Sequence, residues 1–201
     1  MKRVVSFLLC FVICFYFVGC KSVQKQNEEA REALMEVFNK ERSFLIKNEY
    51  TGKTTEESLE KYRFPTEYSA VNAFVPDGYT FVDFDGDGIE EMMIISAELK
   101  FFLVLRYEET AIRGYIIERI SIQTVKTDGT FSFWQYTDMD YNTVCKVSFD
   151  GEDHNISYLA LINGEKDEYL LNDKPEQREK IEEYISDWEK NTTRSEWTFD
   201  R

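Results

Sequence analysis

Apolar residues recur with a helical period near both ends of the chain. Between Gln24 and Lys47 they fall three, four or seven positions apart, with charged residues on the other face: Ala30, Leu34, Val37, Phe38, Phe44 and Leu45. Residues 174–191 repeat the pattern with Ile181, Tyr184, Ile185 and Trp188, following Asp173 as the expected N-cap and with Pro175 in the first turn. Each segment therefore predicts an amphipathic helix.

From Tyr79 onward the pattern changes to alternation or to short apolar runs rich in aromatic and β-branched residues. Nine runs predict strands: YTFVDF, EMMIISA, FFLVLRY, RGYIIERI, SIQTVKT, TFSFWQY, NTVCKVSF, ISYLALI and DEYLL. The final SEWTF adds a candidate edge strand, and residues 54–57 resemble a short helix start that leads to Leu59 and Tyr62.

The connections between these runs are too short for crossover helices. Asp-Gly pairs at 128–129 and 150–151 mark turns, and Asn-Gly at 163–164 predicts a two-residue hairpin. We therefore predict an α+β fold, an antiparallel β-meander sheet flanked by the N-terminal and C-terminal helices on one face. Residues 28–201 are expected to form a single domain.

The first nineteen residues have the pattern of an export signal. Lys2 and Arg3 precede an apolar run from Val4 to Val18, which is shorter than a membrane-spanning helix requires. The ending Phe-Val-Gly-Cys at residues 17–20 resembles a bacterial lipobox, although Phe17 stands where leucine is usual. The resemblance implies cleavage after residue 19, acylation of Cys20 and a polar tether over residues 20–27. An uncleaved anchor is the alternative, and both place the protein on the extracytoplasmic face of a cell membrane.

Charge narrows the range of partners. The chain has 24 basic and 38 acidic residues, a net charge of −14, which becomes −16 when Lys2 and Arg3 leave with the signal. Such an acidic protein is repelled by phosphate backbones, so nucleic acid is not an expected partner, whereas cations are. The expected partners are membrane lipid, through acylated Cys20, and an unidentified extracytoplasmic ligand or protein.

Few residues suggest catalysis. Cys10 and Cys14 lie in the signal, so Cys145 alone remains in the mature body beside Cys20, and its strand context predicts a buried, unreactive thiol. The one histidine, His154, is expected to be exposed in a loop. No nucleophile motif, phosphate loop or dinucleotide fingerprint is present, so we name no catalytic residue.

The stretch DFDGDGIEE, residues 83–91, carries the clearest chemical signal. Carboxylates at alternate positions of a tight turn can converge on one hard cation, and the glycines allow the positive φ that the turn needs. The side chains would be those of Asp83, Asp85, Asp87 and Glu91, with the Ile89 carbonyl as a further ligand and Glu90 pointing away. An Asp-Gly turn without metal is the alternative.

The stretch resembles the DxDxDGxxD/E calcium loop found between strands in FG-GAP repeats and the similar loops of dockerin and thrombospondin modules. It departs from the EF-hand, because position 12 is Ile94 and the flanks are predicted strands. The resemblance implies structural Ca²⁺ and covers about a dozen residues. The order of parts is more loosely similar to small bacterial surface lipoproteins of unassigned activity, which implies only a binding or structural role.

Aromatic residues near position 134 offer a second candidate surface. Alternation in TFSFWQY predicts Phe131 and Phe133 on the core face and Trp134 and Tyr136 on the other, where they could form a surface patch. Three functions remain open. The first is a non-enzymatic, calcium-braced surface lipoprotein; the alternative is a secreted hydrolase acting on polysaccharide or cell wall through an Asp/Glu pair. A third is an inhibitor or assembly partner that uses an exposed sheet edge.

Overall fold

The computed structural model describes residues 22–48, 51–64, 72–96, 102–117, 121–134 and 141–199. Two helices are present in these ranges, α1 (Val23–Phe38) and α2 (Arg178–Asn191). The strands are β1 (Phe44–Lys47), β2 (Thr54–Glu57), β3 (Arg63–Phe64), β4 (Asn72–Ala73), β5 (Pro76–Val82), β6 (Glu91–Ser96), β7 (Phe102–Glu108), β8 (Ala111–Ile117), β9 (Ser121–Val125), β10 (Thr130–Trp134), β11 (Tyr141–Asp150), β12 (Asp153–Asn163), β13 (Glu168–Leu171), β14 (Lys174–Pro175) and β15 (Thr198–Phe199).

The strands form two main sheets. Sheet 1 has the order β15-β5-β6-β7-β8-β1-β2, sheet 2 has the order β14-β13-β12-β11-β10-β9, and β3 pairs with β4 separately. Pairings between the described strands are antiparallel apart from that of β1 with β8, which is parallel. The chain is thus α+β and mostly sheet, as predicted.

The elements stack as helix, sheet, sheet and helix. Ala33, Leu34 and Val37 of α1 pack on the outer face of sheet 1. The inner faces of the two sheets share a second cluster that includes Phe84, Met93, Val104, Phe131 and Val147. Ile181, Ile185 and Trp188 of α2 cover the outer face of sheet 2. Three apolar layers therefore hold the four structural layers together.

The prediction of one sheet with both helices on the same face is wrong. Strand β6 explains why, because both of its faces are apolar: Met92 and Ile94 face α1, whereas Met93 faces sheet 2. A sheet that is apolar on both faces must be covered on both faces, which one layer of helices cannot do. The second sheet covers the inner face, and each helix covers one outer face.

The N-terminal helix is shorter than predicted. It ends at Phe38, where Asn39 caps it and Lys40 takes a positive φ of 67°. Phe44 and Ile46, which lie inside the helix predicted for residues 24–47, are alternate buried residues of β1. Residues 54–57, predicted as a helix start, instead form β2, which pairs antiparallel with β1. Pairing with a neighbouring strand has overridden the local helical pattern.

The C-terminal helix starts later than predicted, at Arg178 with Gln177 as its N-cap. Asp173 lies in a turn with φ 59°, and Pro175 belongs to β14. The helical face itself is as predicted, with Ile181, Ile185 and Trp188 buried. The edge strand expected in SEWTF is present as β15, which pairs with β5.

The observed hairpin turns match the turns predicted from the sequence only in part. The Asp150-Gly151 turn is tight, because Asp150 pairs with Asp153 across two residues. The Asn163-Gly164 turn is longer than the predicted two residues, because Asn163 pairs with Glu168 and four residues separate them.

Lys126 joins α2 to sheet 2. Its side chain is 1% exposed, and Nζ donates to the carbonyls of Glu189 at 3.1 Å and Thr192 at 2.8 Å. These carbonyls belong to the last turn of α2 and its cap. A positive charge there also interacts favourably with the negative end of the helix dipole. Nearby, the indole Nε1 of Trp188 donates to Thr130 Oγ1 at 2.7 Å. The buried polar side chains of Lys126, Thr130 and Trp188 thereby have hydrogen-bond partners.

Candidate functional site

The acidic stretch forms the loop between β5 and β6, and its backbone wraps around Asp83. The Asp83 carboxylate accepts from the Gly86 N–H at 2.7 Å and from the Gly88 N–H at 2.9 Å. Both glycines have positive φ, 82° and 88°. Asp87 Oδ1 accepts from the Ile89 N–H at 2.7 Å. Asp83 thus organises a turn in which any residue other than glycine at positions 86 and 88 would have a strained backbone.

Three carboxylates converge inside this loop. One oxygen from each of Asp83, Asp85 and Glu91 lies within 4.8 Å of the others. Asp87, also predicted as a ligand, is not in this group; its carboxylate accepts from the Ile89 N–H and from Arg106. The predicted role of the Ile89 carbonyl stays a prediction. The structure therefore brings together three of the four predicted carboxylates.

Glu91 is the buried member of the group. Its residue is 1% exposed, and Oε2 accepts from the Phe84 N–H at 2.9 Å. The pKa of Glu91 is raised to about 8, chiefly by burial. The Phe84 hydrogen bond lowers this pKa, and the nearby negative charge of Asp85 raises it. Ionised Glu91 therefore requires a nearby cation to offset the cost of its desolvation.

An arginine lies at the mouth of the cluster. The Arg106 guanidinium is 2.8 Å from Asp85 Oδ2, 3.1 Å from Asp87 Oδ2 and 3.7 Å from Glu91 Oε1. It also lies 5.2 Å from the centroid of the Phe149 ring, which belongs to sheet 2. Arg106 had not been singled out as a site residue. A lone arginine in the apolar run FFLVLRY was the only available signal.

Helix α1 is fixed to the outer side of the loop. Glu90 points away from the carboxylate cluster, as predicted, and accepts from Asn27 Nδ2 at 2.9 Å and from the Arg31 guanidinium. These bonds, chiefly the one from Arg31, lower the pKa of Glu90. Arg31 also stacks 4.5 Å from the Phe81 ring centroid. The loop and the first turns of α1 therefore form one unit.

Sheet 2 touches the loop through the turn between β9 and β10. A Cβ on Gly129 would overlap the Asp83 carbonyl oxygen and lie 2.8 Å from Phe84 Cα. Lys146 of β11 reaches the loop as well, because its Nζ is 3.8 Å from the Cβ position of Gly86. Groups from α1, sheet 1 and sheet 2 thus meet at the acidic loop.

No protein-family model matches the chain, and no curated protein or solved structure is significantly similar to it.

Cys20 and Tyr136 lie outside the described residues, as does the side chain of Trp134. The face on which a patch was predicted is covered at the other end of β10, where Thr130, which accepts from Trp188 of α2, and Ser132 are 7% and 5% exposed. The predicted core residues Phe131 and Phe133 are buried. No helix of the described part is long and apolar enough to cross a membrane.

The structure confirms the predicted burial of Cys145 and contradicts the predicted exposure of His154. Cys145 is buried, as predicted, and burial raises the pKa of its thiol to about 12, which disfavours the reactive thiolate. His154 is not an exposed loop residue. It lies in β12, half-buried against the Tyr115 ring, and burial lowers its pKa.

His154 lines a cavity at one side of sheet 1. This cavity of about 200 Å³ lies between β1, β8 and the β11–β12 turn; its lining residues are Lys47, Gly114, Tyr115, Ile116, Glu152, Asp153 and His154. Lys47 pairs with Asp153 at 2.6 Å. Further cavities lie beside Arg106 and beside β2, and Glu91 is not among the lining residues of these or of the His154 cavity.

Proposed function

We propose that the protein is an exported lipoprotein, anchored by acylated Cys20, whose acidic loop binds a structural Ca²⁺ ion. The body of the protein acts as a non-enzymatic binding or structural module on the extracytoplasmic face of the membrane. The observation that carries the calcium assignment is the convergence of Asp83, Asp85 and Glu91 within 4.8 Å. The lipoprotein assignment rests on the N-terminal sequence.

The chemistry of the donors fits a hard cation. All three converging groups are carboxylates, with no histidine or cysteine among them, and Ca²⁺ prefers oxygen ligands. Ionised Glu91 is costly in its buried position, and a divalent ion would offset that cost better than Arg106, whose nearest approach to it is 3.7 Å. Asp83, Asp85 and Glu91 would hold the ion.

Arg106 would compete with a metal ion for the loop carboxylates. Its guanidinium already neutralises part of the charge on Asp85 and Asp87, so a metal ion must take Asp85 from it. Competition of this kind weakens metal affinity. Extracellular calcium modules bind with dissociation constants of about 10⁻⁴–10⁻³ M, a range that still allows occupancy outside the cell.

A structural role follows from what surrounds the loop. Glu90 binds α1, Arg106 stacks on sheet 2, and Gly129 of sheet 2 abuts Asp83. An ion in the loop would therefore brace the junction of three layers. The hydrolase alternative requires a carboxylate pair that a substrate can reach. Glu91 has the raised pKa of a general acid but is 1% exposed, so that alternative gains no support.

Thermal unfolding in EDTA and in calcium tests the metal site. With about 5 mM calcium and a dissociation constant of about 10⁻⁴–10⁻³ M, binding stabilises the fold by roughly 1–2.3 kcal/mol. For a chain of this size that raises Tm by roughly 2–9 °C. Asp85→Asn should abolish the shift. Asp167→Asn, which removes an exposed carboxylate from the β12–β13 turn, should leave it unchanged.

If wild-type protein has the same Tm in EDTA and calcium, the loop is a metal-independent acidic turn neutralised by Arg106. A shift that persists in Asp85→Asn would place the calcium elsewhere. Mass spectrometry of the membrane-extracted protein tests the anchor independently, because acyl chains on Cys20 add mass to the N-terminal peptide only.

A further inference from the structure

The strands that end the two sheets offer little room for another strand. β14 and β15 have two residues each, and β14 contains Pro175. The β9 edge is covered beside Val125, whose carbonyl accepts from the Ser195 N–H at 2.9 Å. β2 carries Glu56 and Glu57, and charged side chains protect an edge from pairing. These four strands are therefore poor templates for strand addition.

β12 has a better edge, because it extends beyond its neighbour β13. β13 pairs only with residues 160–163 of β12. Beyond them, the Tyr158 N–H donates to Asp173 Oδ1 and the Tyr158 carbonyl accepts from the Asp173 N–H, both at 3.2 Å. Backbone direction alternates along an antiparallel strand, so the N–H and C=O groups of His154 and Ile156 point to the same side. Within the described residues nothing pairs with them there, which leaves an open edge over residues 153–157.

This open edge lacks the usual protection against pairing. Residues 154–157, HNIS, include no lysine, carboxylate or proline. Asn155 and Ser157 are exposed, whereas Ile156 packs partly against the apolar cluster between the sheets. An extended segment added to β12 would follow the same alternation, with one face toward solvent and the other between the sheets.

The cavity beside His154 lies on the inner side of the open edge. Its walls include Tyr115 and Ile116 of β8, and Lys47 of β1, whose ion pair with Asp153 bridges the two sheets. In an added strand, the residue opposite His154 would point to the same side as His154, toward this cavity. The volume of about 200 Å³ is below the roughly 300–1,000 Å³ of sites for drug-sized ligands, so the cavity suits one side chain.

The charges around the cavity favour a basic side chain. Glu152 and Asp153 line it against Lys47, and burial lowers the pKa of His154, so the lining is negative at neutral pH. The side chains of Glu152 and Asp153 are 45% and 67% exposed and can be reached. Asp173 adds a carboxylate at the far end of the open edge. A second copy of this chain, with a net charge of −14, would be repelled, whereas a basic segment would be attracted.

We propose that the open edge of β12 binds an extended segment of a partner protein by strand addition, and that a lysine or arginine of this segment enters the cavity beside His154. The inference rests on the proposed function only for the role of the protein as a binding module. It requires neither the lipid anchor nor the cation, so binding is measured in EDTA.

Fluorescence anisotropy of labelled peptides tests the proposal on full-length protein in detergent. The probe is the peptide Thr-Lys-Thr-Val-Thr-Lys-Thr, whose lysines and valine share one face of a strand in either orientation. One control peptide has glutamate in place of both lysines. The other carries N-methyl groups on the lysines and the valine, which removes backbone donors and keeps the side chains. We expect the lysine peptide to bind at least about tenfold more tightly than either control.

Two variants test whether binding occurs at β12. Ile156→Pro removes an outward N–H that takes no part in the ladder with β11, so it should abolish binding of the lysine peptide without breaking that ladder. Glu152→Gln should reduce the preference for lysine over glutamate roughly two- to fivefold. Asp167→Asn, which removes an exposed carboxylate from the β12–β13 turn, should leave both affinities unchanged.

Amide hydrogen exchange reports strand addition directly. In the free protein the N–H groups of His154 and Ile156 should exchange faster than those of Asn155 and Ser157, which face β11. The lysine peptide should slow the exchange of His154 and Ile156. This readout and the N-methylated peptide remain decisive if Ile156→Pro fails to fold.

Equal binding of the lysine and N-methylated peptides, or of the lysine and glutamate peptides, would overturn the proposal. Slow exchange of His154 and Ile156 in the free protein, together with a dimer in sedimentation, would show that a second copy occupies the open edge and would likewise overturn it. Neither result alters the calcium-dependent melts or the mass of the N-terminal peptide, so the proposed metal site and anchor are tested separately.

Discussion

Replacing Gly129 by alanine should destabilise the protein at the contact between the β9–β10 turn of sheet 2 and the acidic loop of sheet 1. Gly129 has φ 78°, so any side chain there pays the cost of a left-handed backbone, about 1–2 kcal/mol. The new Cβ would also overlap the Asp83 carbonyl oxygen and lie 2.8 Å from Phe84 Cα. Both atoms are backbone, so no rotamer change relieves the clash, and overpacking of this kind costs a further 1–3 kcal/mol or so.

Gly151→Ala is the matched control. Gly151 has φ 59°, and a Cβ there meets no atom within 4 Å, so its substitution has the backbone cost without the clash. In urea denaturation with EDTA, Gly129→Ala should therefore be less stable than Gly151→Ala by roughly 1–3 kcal/mol. Calcium should also stabilise Gly129→Ala less than wild type, because Asp83 has been displaced. Equal stability of the two variants would refute the proposed contact between the turn and the loop.

Three further predictions concern single residues. Arg106→Gln should lower Tm in EDTA, because it leaves Asp85 and Asp87 without their counter-charge, yet enlarge the calcium-dependent rise; a reduced rise would mean that Arg106 supports the metal site. Lys126→Met should cost roughly 2–3 kcal/mol in urea, since it removes two charged hydrogen bonds to the end of α2, whereas Lys174→Met at an exposed position should be neutral within about 0.5 kcal/mol. Burial lowers the pKa of His154 below its ordinary 6.5, so the unfolded chain takes up a proton first as pH falls. The His154 contribution to the free energy of unfolding should therefore decrease as the pH falls from about 7.5 to 5.5. Glu91, whose folded pKa of about 8 lies above its unfolded value, acts in the opposite direction in both proteins, so the decrease should be seen in the difference between wild type and His154→Gln.

The strands were predictable wherever the chain alternates over enough residues to reveal its buried face. Phe131 and Phe133 were expected in the core and are there. Short segments were not predictable in the same way. Residues 44–47 and 54–57 are four-residue strands whose partners are each other and β8, so long-range pairing decides their conformation. The division into two sheets was missed because alternation identifies faces but not what covers them.

The spacing of the acidic residues located the loop correctly. It did not predict the different electrostatic environments of the individual carboxylates. Spacing alone treats Asp83, Asp85, Asp87 and Glu91 as equals. In the fold Glu91 is buried and Asp87 turns toward Arg106. Both differences arise from the register of β6 against β7, in which Met92 pairs with Leu105 and so brings Arg106 beside Glu91. Glu91 and Arg106 are fifteen residues apart in sequence, so their pairing is not contained in a local motif.

The position of the loop determines how any cation there must act. The same nine residues contact α1 through Glu90, β7 through Arg106 and the β9–β10 turn through Gly129. A charge added to or removed from the loop is therefore felt by both sheets and by the helix that follows the proposed anchor. Calcium should consequently shift the whole unfolding transition, rather than protect one hairpin. Hydrogen exchange that slows in α1 and β10 together with β5 and β6 would be the signature of that coupling.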